Sequence, residues 1–444
     1  MARSDWLTFI QGYTILQVMK IVTEFHSTSK VIECTLWLSD PLWHPRRNTL
    51  AAIAVKTDGE IYILPVNHND AGNNVITIDR FRQLVSDCTI YTNDQKTFLH
   101  YIGQVGTLHQ CNKHNLTERD ARVRPYLGPI GGNIRNGYQA VPLTILAHWM
   151  AQDVSDLTGN VVYSPFFTEQ YIPCLARLET PGICVNPAIM SVEFPRAFKR
   201  HLTSDNLVYP WYNPFTSAHR ASNSWAGINF SALTKGSDSR KMIISRFDGG
   251  SLVSMDFDAY HLRLIAQYFD VPLPQTSLHT EFAKLYFNTP EVTPEQYELS
   301  KQKTFELMYG KIVETHGIPL FERIGGVKEQ LWNEYTQTRT LPLATGMSVP
   351  VENPHPSKLF NYFVQSLEVR ETVIKLIQVL DWLETKQSKL ILYTYDSILL
   401  DVHPSEDVSE IRALLEEPNH MFPVRVYEGT NYANLKEVPC EQFT

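Results

Sequence analysis

The chain has 444 residues, of which 43% are hydrophobic and 19% are charged, and these values are typical of a globular protein with two or three domains. The formal net charge of −8 excludes a generally basic nucleic-acid coat, although a local basic cleft stays compatible with it. No apolar run approaches the ~20 residues of a membrane span, so we expect no membrane partner.

The cysteines and the first residues bear on location. Six cysteines are scattered without CxxC pairs, which predicts reduced thiols. Asp5 and Gln11 stand where a signal peptide needs an unbroken apolar region. We therefore expect a cytoplasmic protein.

Residues 30–67 show the first regular pattern. Two apolar runs flank a segment that Pro41 and Pro45 interrupt, and Asp58-Gly59 suits a two-residue hairpin turn. This pattern predicts a β-meander that opens an α/β domain. The glycine-rich segment 128–137 lacks the GK[ST] ending of a phosphate-binding loop, so we interpret it as an ordinary loop.

Residues 140–186 predict helices, and Thr180-Pro181-Gly182 ends the last of them before a short strand. A polar stretch rich in Ser, Asn, Arg and Lys follows, from residue 212 to residue 247. Such side chains suit phosphate contacts, and they suit a solvated loop equally well.

Residues 251–267 contain the first candidate catalytic group. Residues 252–255 predict a strand, Asp256 stands at its end, and helical spacing begins at Tyr260. A carboxylate held by a rigid strand suits Mg²⁺, which takes one or two protein oxygens and otherwise water and substrate phosphates. The alternative is that Asp256 only caps the following helix.

Two helices are predicted next, over 276–288 and 296–310. In the second, Lys301, Phe305 and Tyr309 recur every fourth residue and therefore lie along one face. A cation with two aromatic rings suits a triphosphate and a stacked base. The alternative is that this aromatic stripe faces the core.

The last part of the chain predicts a long amphipathic helix over 357–385, with Asn361 and Gln365 one turn apart. Paired amides can hydrogen-bond minor-groove acceptors or simply pack at the surface. Residues 389–403 predict a hairpin whose tight turn presents Asp396, either as a second acid or as a solvated turn residue. A helix over 406–416 and a strand beginning at Phe422 follow.

From about residue 170 to the end, the order of these parts resembles the palm and fingers of family A DNA polymerases, the group of bacterial DNA polymerase I and many bacteriophage replicases. The segment DFDAYHLR is similar to motif A and places Asp256 and Arg263 on the positions of its Asp and Arg. Tyr395-Asp396-Ser397 is similar to the hairpin H-D-E of motif C.

Three further elements carry the resemblance. The segment YELSKQKTFELMYG is similar to motif B and supplies Lys301, Phe305 and Tyr309. The upstream T-x-G-R-x-S element and the N-x-x-x-Q element are matched at Thr216, Arg220, Ser222, Asn361 and Gln365.

The resemblance implies a two-metal nucleotidyl transferase. Asp256 and Asp396 would hold two Mg²⁺ ions, and Lys301 would neutralise the departing charge. The partners would be dNTPs and primer-template DNA. The nucleotide would meet Lys301, Phe305, Tyr309, His261 and Arg263, and the duplex would meet Thr216, Arg220, Ser222, Asn361, Gln365 and Tyr395.

Several positions depart from the family pattern. The motif B Arg falls on Tyr297, so one triphosphate-binding cation is missing. The motif A Glu, which in the family stands against the sugar 2′ position, falls on His261. In motif C, the His and the Glu become Tyr395 and Ser397, while the metal-binding Asp remains.

The implied fold class is mixed α+β: a right-hand palm with an antiparallel sheet and helical fingers, preceded by an α/β ribonuclease H-like domain of the 3′–5′ exonuclease type. The implied domains are an exonuclease-like domain over 1–165, a linker and reduced thumb over 166–215, palm over 216–265, fingers over 266–345, and palm over 346–444.

The first domain lacks the acids of a working exonuclease. The D-x-E motif is replaced by Glu33-Cys34-Thr35, and only Asp153 resembles a remaining carboxylate. A two-metal nuclease needs several acids, so we expect proofreading to be lost. With its thumb reduced, the enzyme would be weakly processive unless a clamp-like partner assists, and we expect a phage-type replicase acting in the host cytoplasm.

Two other functions are compatible with parts of the sequence. One is an inactive polymerase-like protein that binds DNA as a replisome scaffold, although a scaffold has no need for two metal-binding acids. The other is a nuclease centred on the first domain, which the missing carboxylates disfavour.

Overall fold

A computed structural model describes residues 19–40, 43–111, 138–155, 157–160, 163–225, 227–310, 315–417 and 421–439. The chain divides into two units, Met1–Tyr163 and Ser164–Thr444. The glycine-rich segment 128–137 lies outside the described residues. Within the described ranges, no helix combines the length and the apolar character that crossing a membrane requires.

The first unit contains a six-stranded mixed sheet. Its strands are β1 (Met19–Ile21), β2 (Val31–Leu38), β3 (Leu50–Thr57), β4 (Glu60–Pro65), β5 (Thr89–Thr92) and β6 (Thr107–Gln110). They lie in the order β1-β4-β3-β2-β5-β6. Strands β2, β3 and β4 are antiparallel, and β5 and β6 run parallel to β2. The predicted meander is confirmed, and positive φ at both Asp58 (51°) and Gly59 (79°) suits a type I′ turn.

Both faces of this sheet are covered, because alternate residues of β3 enter two different cores. Ile53 and Val55 pack in the core that includes residues of α1 (Ile78–Val85) and α2 (Gln95–Tyr101). Ala52 and Ala54 pack in the core that includes residues of α3 (Leu143–Val154). Burial on both faces explains why this strand is apolar almost throughout.

The second unit begins with short elements. A π-helical turn at Phe166–Tyr171 leads into α4 (Ile172–Glu179), and the helices α5 (Pro187–Glu193), α6 (Pro195–His201) and α7 (Asp238–Lys241) follow. The strands of this part are β7 (Ile183–Cys184), β8 (Leu207–Val208), β9 (Tyr212–Asn213), β10 (Ser222–Trp225) and β11 (Ile228–Asn229). The polar stretch 212–247 is therefore not a simple loop, since it contains the three-stranded sheet β11-β10-β9.

The central sheet of the second unit is assembled from distant parts of the chain. It contains β12 (Ser251–Phe257), β15 (Lys389–Tyr393), β16 (Ser397–Val402), β17 (Val424–Gly429) and β18 (Lys436–Val438). The order β15-β16-β12-β17-β18 is antiparallel throughout and puts β12 in the middle. The predicted hairpin and the strand before Asp256 are confirmed, and β18 was not predicted.

Helices fill most of the chain between β12 and β15. They are α8 (Tyr260–Tyr268), α9 (Leu278–Phe287), α10 (Pro294–Tyr309), α11 (Pro319–Thr338) and α12 (Pro356–Trp382), with the short strands β13 (Leu341–Pro342) and β14 (Ser348–Val349) before α12. Residues from all five helices share one apolar core. A capping box of Thr293 and Gln296 starts α10. The helix predicted over 406–416 begins at Ser409, as α13 (Ser409–Glu416).

A buried ion pair anchors the segment that leads into β12. Asp401 on β16 is fully buried and accepts hydrogen bonds from Nε of Arg246 at 2.7 Å and from Oγ of Ser245 at 2.6 Å. The Arg246 guanidinium also donates to the carbonyls of Pro181 at 2.9 Å and Gly182 at 2.7 Å. One carboxylate thus joins β16, the approach to β12 and the turn after α4.

We expect Asp401→Asn to lower the free energy of unfolding by about 3 kcal/mol, because it leaves the Arg246 charge buried without its counter-ion. The matched control is Asp381→Asn, which removes the partner of Arg177 at 2.6 Å from a side chain that is 61% exposed. That change should cost about 1 kcal/mol or less. Urea denaturation measures both, and equal losses would contradict the anchoring role.

Candidate active site

Asp256 is the penultimate residue of β12. Its Cα lies opposite those of Ser397 on β16 and Arg425 on β17. Residues directly opposite in antiparallel strands place their side chains on the same face of the sheet. Helix α8 begins at Tyr260, and its N-cap position is Ala259, in the left-handed conformation at φ 51°. The alternative that Asp256 caps this helix is therefore wrong.

Asp396 lies in the tight turn between β15 and β16. The preceding Tyr395 has φ 71°, in the left-handed region that non-glycine residues rarely adopt. The carbonyl of Asp396 accepts a hydrogen bond from the amide of Phe257 at 2.9 Å. Because Phe257 follows Asp256, the backbone places the two acids at the same end of neighbouring strands.

Burial is the largest influence on both carboxyl groups. It raises the pKa of Asp256 to about 7, and the charge of Asp396 adds to that rise while Lys235 and Arg425 oppose it. Burial also raises the pKa of Asp396, and the Glu368 carboxylate adds to that rise. Both groups therefore carry a cost of ionisation that a cation would relieve.

The donor set of this site suits Mg²⁺. Asp256 and Asp396 offer hard carboxylate oxygens, and Mg²⁺ is usually held by one or two such groups together with water and substrate phosphates. Among the residues that the structure describes, no cluster of three or more His, Cys, Asp or Glu side chains is arranged to hold a metal. That Asp256 and Asp396 hold a metal stays a prediction.

One stripe of α10 contains Tyr297, Lys301, Phe305 and Tyr309, each four residues after the last. Phe305 is 41% exposed, Lys301 is exposed, and the rings of Phe305 and Tyr309 are nearly parallel, at 8°, with centroids 6.3 Å apart. The alternative that this stripe faces the core holds in part, because Tyr309 packs against the apolar core, whereas Lys301 and Phe305 are exposed.

His261 connects this stripe to α8. Its Nδ1 is hydrogen-bonded to the hydroxyl of Tyr309. Its Nε2 lies 3.2 Å from Oε1 of Glu368. The residue that replaces the motif A Glu is therefore held from both sides of its ring.

Glu368 on α12 is a functional candidate that our sequence analysis missed. Its side chain is fully buried and forms an ion pair with Arg220, with 2.8 Å between Nε and Oε2 and 3.1 Å between Nη2 and Oε1. The Arg220 guanidinium also lies over the ring of Tyr395, 3.7 Å from its centroid. The Glu368 carboxylate thus contacts both Arg220 and His261, which come from different segments of the sequence.

A sequence signal for Glu368 did exist. It follows Asn361 by seven residues and Gln365 by three, which is the spacing of one helical face. It also stands between Leu367 and Val369 in an apolar run. A charge on the buried side of a helix implies a partner, but the sequence does not name that partner.

The other residues predicted to bind DNA lie around Arg220 or on α12. Thr216 donates from Oγ1 to the carbonyl of Arg220 at 2.9 Å and so closes the loop before β10. Ser222 is exposed at the start of β10. Gln365 donates to Oδ1 of Asn361 at 3.2 Å, and both amides are half-buried. Their contacts with DNA stay predictions.

Arg263 is placed differently from the other residues predicted to bind the nucleotide. It is buried, and its guanidinium donates to the carbonyls of Asp258 at 3.0 Å, Pro274 at 3.1 Å and Thr276 at 3.1 Å. These bonds hold the end of β12 against the segment before α9. A direct contact with nucleotide stays a prediction.

In the first unit, Glu33 is engaged with protein groups. Its Oε1 accepts hydrogen bonds from the amide and the hydroxyl of Thr158, both at 2.8 Å, and its Oε2 lies 3.1 Å from Nζ of Lys56. Asp153 on α3 is buried. Glu33 therefore has a structural role at the place of the D-x-E motif.

The sequence matches no family model and no curated protein. Among solved structures, the chain is similar to the POL domain of Pol1 from M. smegmatis in complex with DNA primer-template and dNTP. The TM-score is 0.63 at 14% sequence identity, and the match covers 94% of this chain and 100% of that chain. The similarity shows a mixed α+β fold of the family A polymerase type.

We expect the free energy of unfolding to depend on pH because the pKa of Asp256 is raised in the folded state. Protonated Asp256 favours the folded state at about pH 4, and this contribution is lost as the pH rises towards 7, because the folded-state pKa lies above the ordinary value of 3.8. In EDTA, Asp256→Asn should therefore gain stability relative to the original chain between about pH 4 and 7. Urea denaturation at each pH measures this difference, and a constant difference would rule out the shift.

We expect Arg220→Ala to lower the free energy of unfolding by about 3 kcal/mol, because it leaves Glu368 buried beside His261 alone. Adding Glu368→Gln removes the isolated charge, so the double variant should be more stable than Arg220→Ala. Denaturant titration of the two single variants and the double variant gives the coupling. A double variant less stable than Arg220→Ala would show that the pair is not coupled in this way.

Proposed function

We propose that the chain is a template-directed DNA polymerase that adds deoxynucleotides to the 3′-hydroxyl of a primer. The supporting observation is the pair of carboxyl groups with raised pKa values, Asp256 and Asp396, at the same end of neighbouring strands in a polymerase fold. The similar POL domain was solved with primer-template DNA and dNTP. We propose the same two kinds of partner for this chain.

Asp256 and Asp396 would hold two Mg²⁺ ions. When bound, these ions would polarise the 3′-hydroxyl and the phosphate oxygens and would neutralise developing charge. The chain itself keeps the two carboxyl groups close enough that the charge of Asp396 raises the pKa of Asp256. The hydrogen bond between the amide of Phe257 and the carbonyl of Asp396 fixes their spacing through the backbone.

The stripe on α10 would bind the nucleotide. Lys301 is an exposed cation that would neutralise the departing pyrophosphate. Phe305 and Tyr309 present nearly parallel rings against which a base can stack. His261, held by the Tyr309 hydroxyl, would stand against the sugar 2′ position.

Arg220 would contact the primer-template duplex near the two acids. Its ion pair with Glu368 and its contact with the Tyr395 ring pre-organise the guanidinium before DNA arrives. The other proposed duplex contacts are Thr216, Ser222, Asn361 and Gln365. Positioning and electrostatics, rather than covalent chemistry, would then account for catalysis.

The first unit would be a ribonuclease H-like remnant without proofreading. Its mixed sheet, in which β2 pairs antiparallel with β3 and parallel with β5, supports that fold. The structural engagement of Glu33 supports the loss of nuclease activity. The region proposed as a reduced thumb contains only the short helices α4, α5 and α6, so the polymerase would need a clamp-like partner to be processive. We further propose a phage-type replicase acting in the host cytoplasm.

We expect Asp256→Ala and Asp396→Ala each to reduce primer extension by at least about 100-fold, because each removes a proposed ligand of the Mg²⁺ ions that would neutralise the transition-state charge. Binding of the primer-template should persist in both variants. The matched control is Asp381→Ala, an exposed acid on α12, which should extend primers normally. Extension from a labelled primer-template and fluorescence anisotropy measure the two properties.

The same extension assay distinguishes a polymerase from a scaffold protein and from a nuclease. A scaffold protein would bind the primer-template and never extend it, even with intact acids. A nuclease would shorten the labelled 3′ end. Extension that survives in either Asp variant would contradict the assignment of the two acids.

A further inference from the structure

The sheet carries a cation, Arg425, beside Asp256. Arg425 on β17 lies directly opposite Asp256 on β12. Its neighbours Val424 and Val426 are buried, whereas Arg425 is partly exposed, as the two-residue period of a strand requires. The guanidinium therefore lies on the same face of the sheet as the Asp256 carboxylate.

The Arg425 side chain is held in place yet remains open to solvent. Its Nη2 donates to Oδ1 of Asp258 at 2.7 Å, and it also interacts with the hydroxyls of Tyr297 and Tyr427. It is nevertheless 36% exposed. A guanidinium has five donor hydrogens, so these contacts leave donors for a ligand.

The two ends of the α10 stripe interact with different residues. Tyr297, at one end of the stripe, interacts with Arg425, and Tyr309, at the other end, is hydrogen-bonded to His261. These ends are twelve residues, or about 18 Å, apart along the helix. Lys301 lies one turn after Tyr297, so the two cations belong to the same end of the stripe.

The side chain of His279 lies beside the same stripe. Burial lowers the pKa of His279 on α9, and both Lys301 and Arg425 add to the lowering. The ring of His279 also contacts those of Tyr297 and Phe305, at centroid distances of 6.0 and 6.1 Å. Arg425 thus lies between Asp256 on the sheet and Tyr297 on the α10 stripe, and it is paired with the Asp258 carboxylate.

We propose that Arg425 binds the triphosphate of the incoming nucleotide, together with Lys301. This inference rests on the proposed polymerase function. A triphosphate carries several negative charges, and a planar guanidinium offers paired N–H donors that match phosphate oxygens. Residue 297 of α10 is a tyrosine. The guanidinium that interacts with it is that of Arg425, which comes from β17. Lys235 is the other cation near Asp256, but it is exposed and lies outside the α10 stripe.

The test is steady-state primer extension by the full chain with dATP as the next nucleotide. Arg425→Ala should raise KM for dATP by about 10- to 100-fold with a smaller change in kcat, because it removes a charge-assisted contact to bound substrate. The KM of Arg425→Lys should lie between that of the original chain and that of Arg425→Ala, since lysine keeps the charge and loses the paired donors. An unchanged KM in Arg425→Ala would overturn the proposal.

Two further variants separate phosphate binding from a structural role. Arg177→Ala is the matched control, since Arg177 is 37% exposed and pairs with Asp381 at 2.6 Å, and its KM should not change. Asp258→Asn breaks the same ion pair as Arg425→Ala but keeps the cation, so KM should stay close to that of the original chain. If Asp258→Asn raises KM as much as Arg425→Ala does, the ion pair is structural and the proposal falls.

Inorganic tripolyphosphate gives a readout without base or sugar. Its potency as a competitive inhibitor should fall in Arg425→Ala by the same factor as the affinity for dATP. An inhibitor constant that does not change would place the effect away from the phosphates and would overturn the proposal.

The failure of this inference differs from the failure of the polymerase assignment. If the original chain extends no primer, the proposed function fails, and calorimetric binding of dATP to the original chain and to Arg425→Ala then decides the role of Arg425. Weaker binding of about 10- to 100-fold in the variant supports it. Equal binding, or no binding by either protein, overturns it.

Discussion

The register of the central sheet is the constraint on which the site depends. Strand β12 pairs with β16 on one side and β17 on the other, so Ser397, Asp256 and Arg425 form one row across three strands. A shift of one residue in either pairing would turn Asp256 towards the buried face and would remove Asp396 from its end of the sheet. The register is held by the apolar alternation of β12 and, at its beginning, by the ion pair of Asp401 with Arg246.

Holding two partly desolvated carboxyl groups near each other opposes folding when both are ionised, and the raised pKa values of Asp256 and Asp396 express that cost. Cations around the pair relieve only part of it. Arg220 forms an ion pair with Glu368, whose own charge adds to the negative charge near Asp396. Arg425 forms an ion pair with Asp258, so its charge is already partly neutralised. The site therefore keeps an unbalanced negative charge on one face of the sheet. Such a face favours divalent cations and, with them, polyanionic substrates.

The Glu368 carboxylate connects two side chains of the site. From α12 it reaches both His261 and Arg220. The hydroxyl of Tyr309 completes the connection to α10. Parts of the second unit that are distant in sequence are thus joined by a small polar network, which is fully buried at Glu368.

Much of the fold was predictable because local patterns are strong in this chain. The strand predicted over 252–255, the Asp58-Gly59 turn, the helix predicted over 296–310 and the hairpin around Asp396 depend on neighbours in sequence, and each is present. The likeness of the motifs also indicated a polymerase fold, which the structural similarity to the POL domain supports. The sequence by itself therefore determined the secondary elements and the two acids at their ends.

Only the tertiary structure decided which side chains meet. The pairing of Glu368 with Arg220 joins residues 148 positions apart, and the contact of Arg425 with Asp258 joins residues 167 positions apart. The buried state of Arg263, the approach of Tyr297 to Arg425 and the pKa of Asp256 follow from the same long-range packing. Periodicity specifies which face of an element a residue occupies. It does not specify which other face lies against it, because burial and charge pairing between distant segments are decided only when the elements pack.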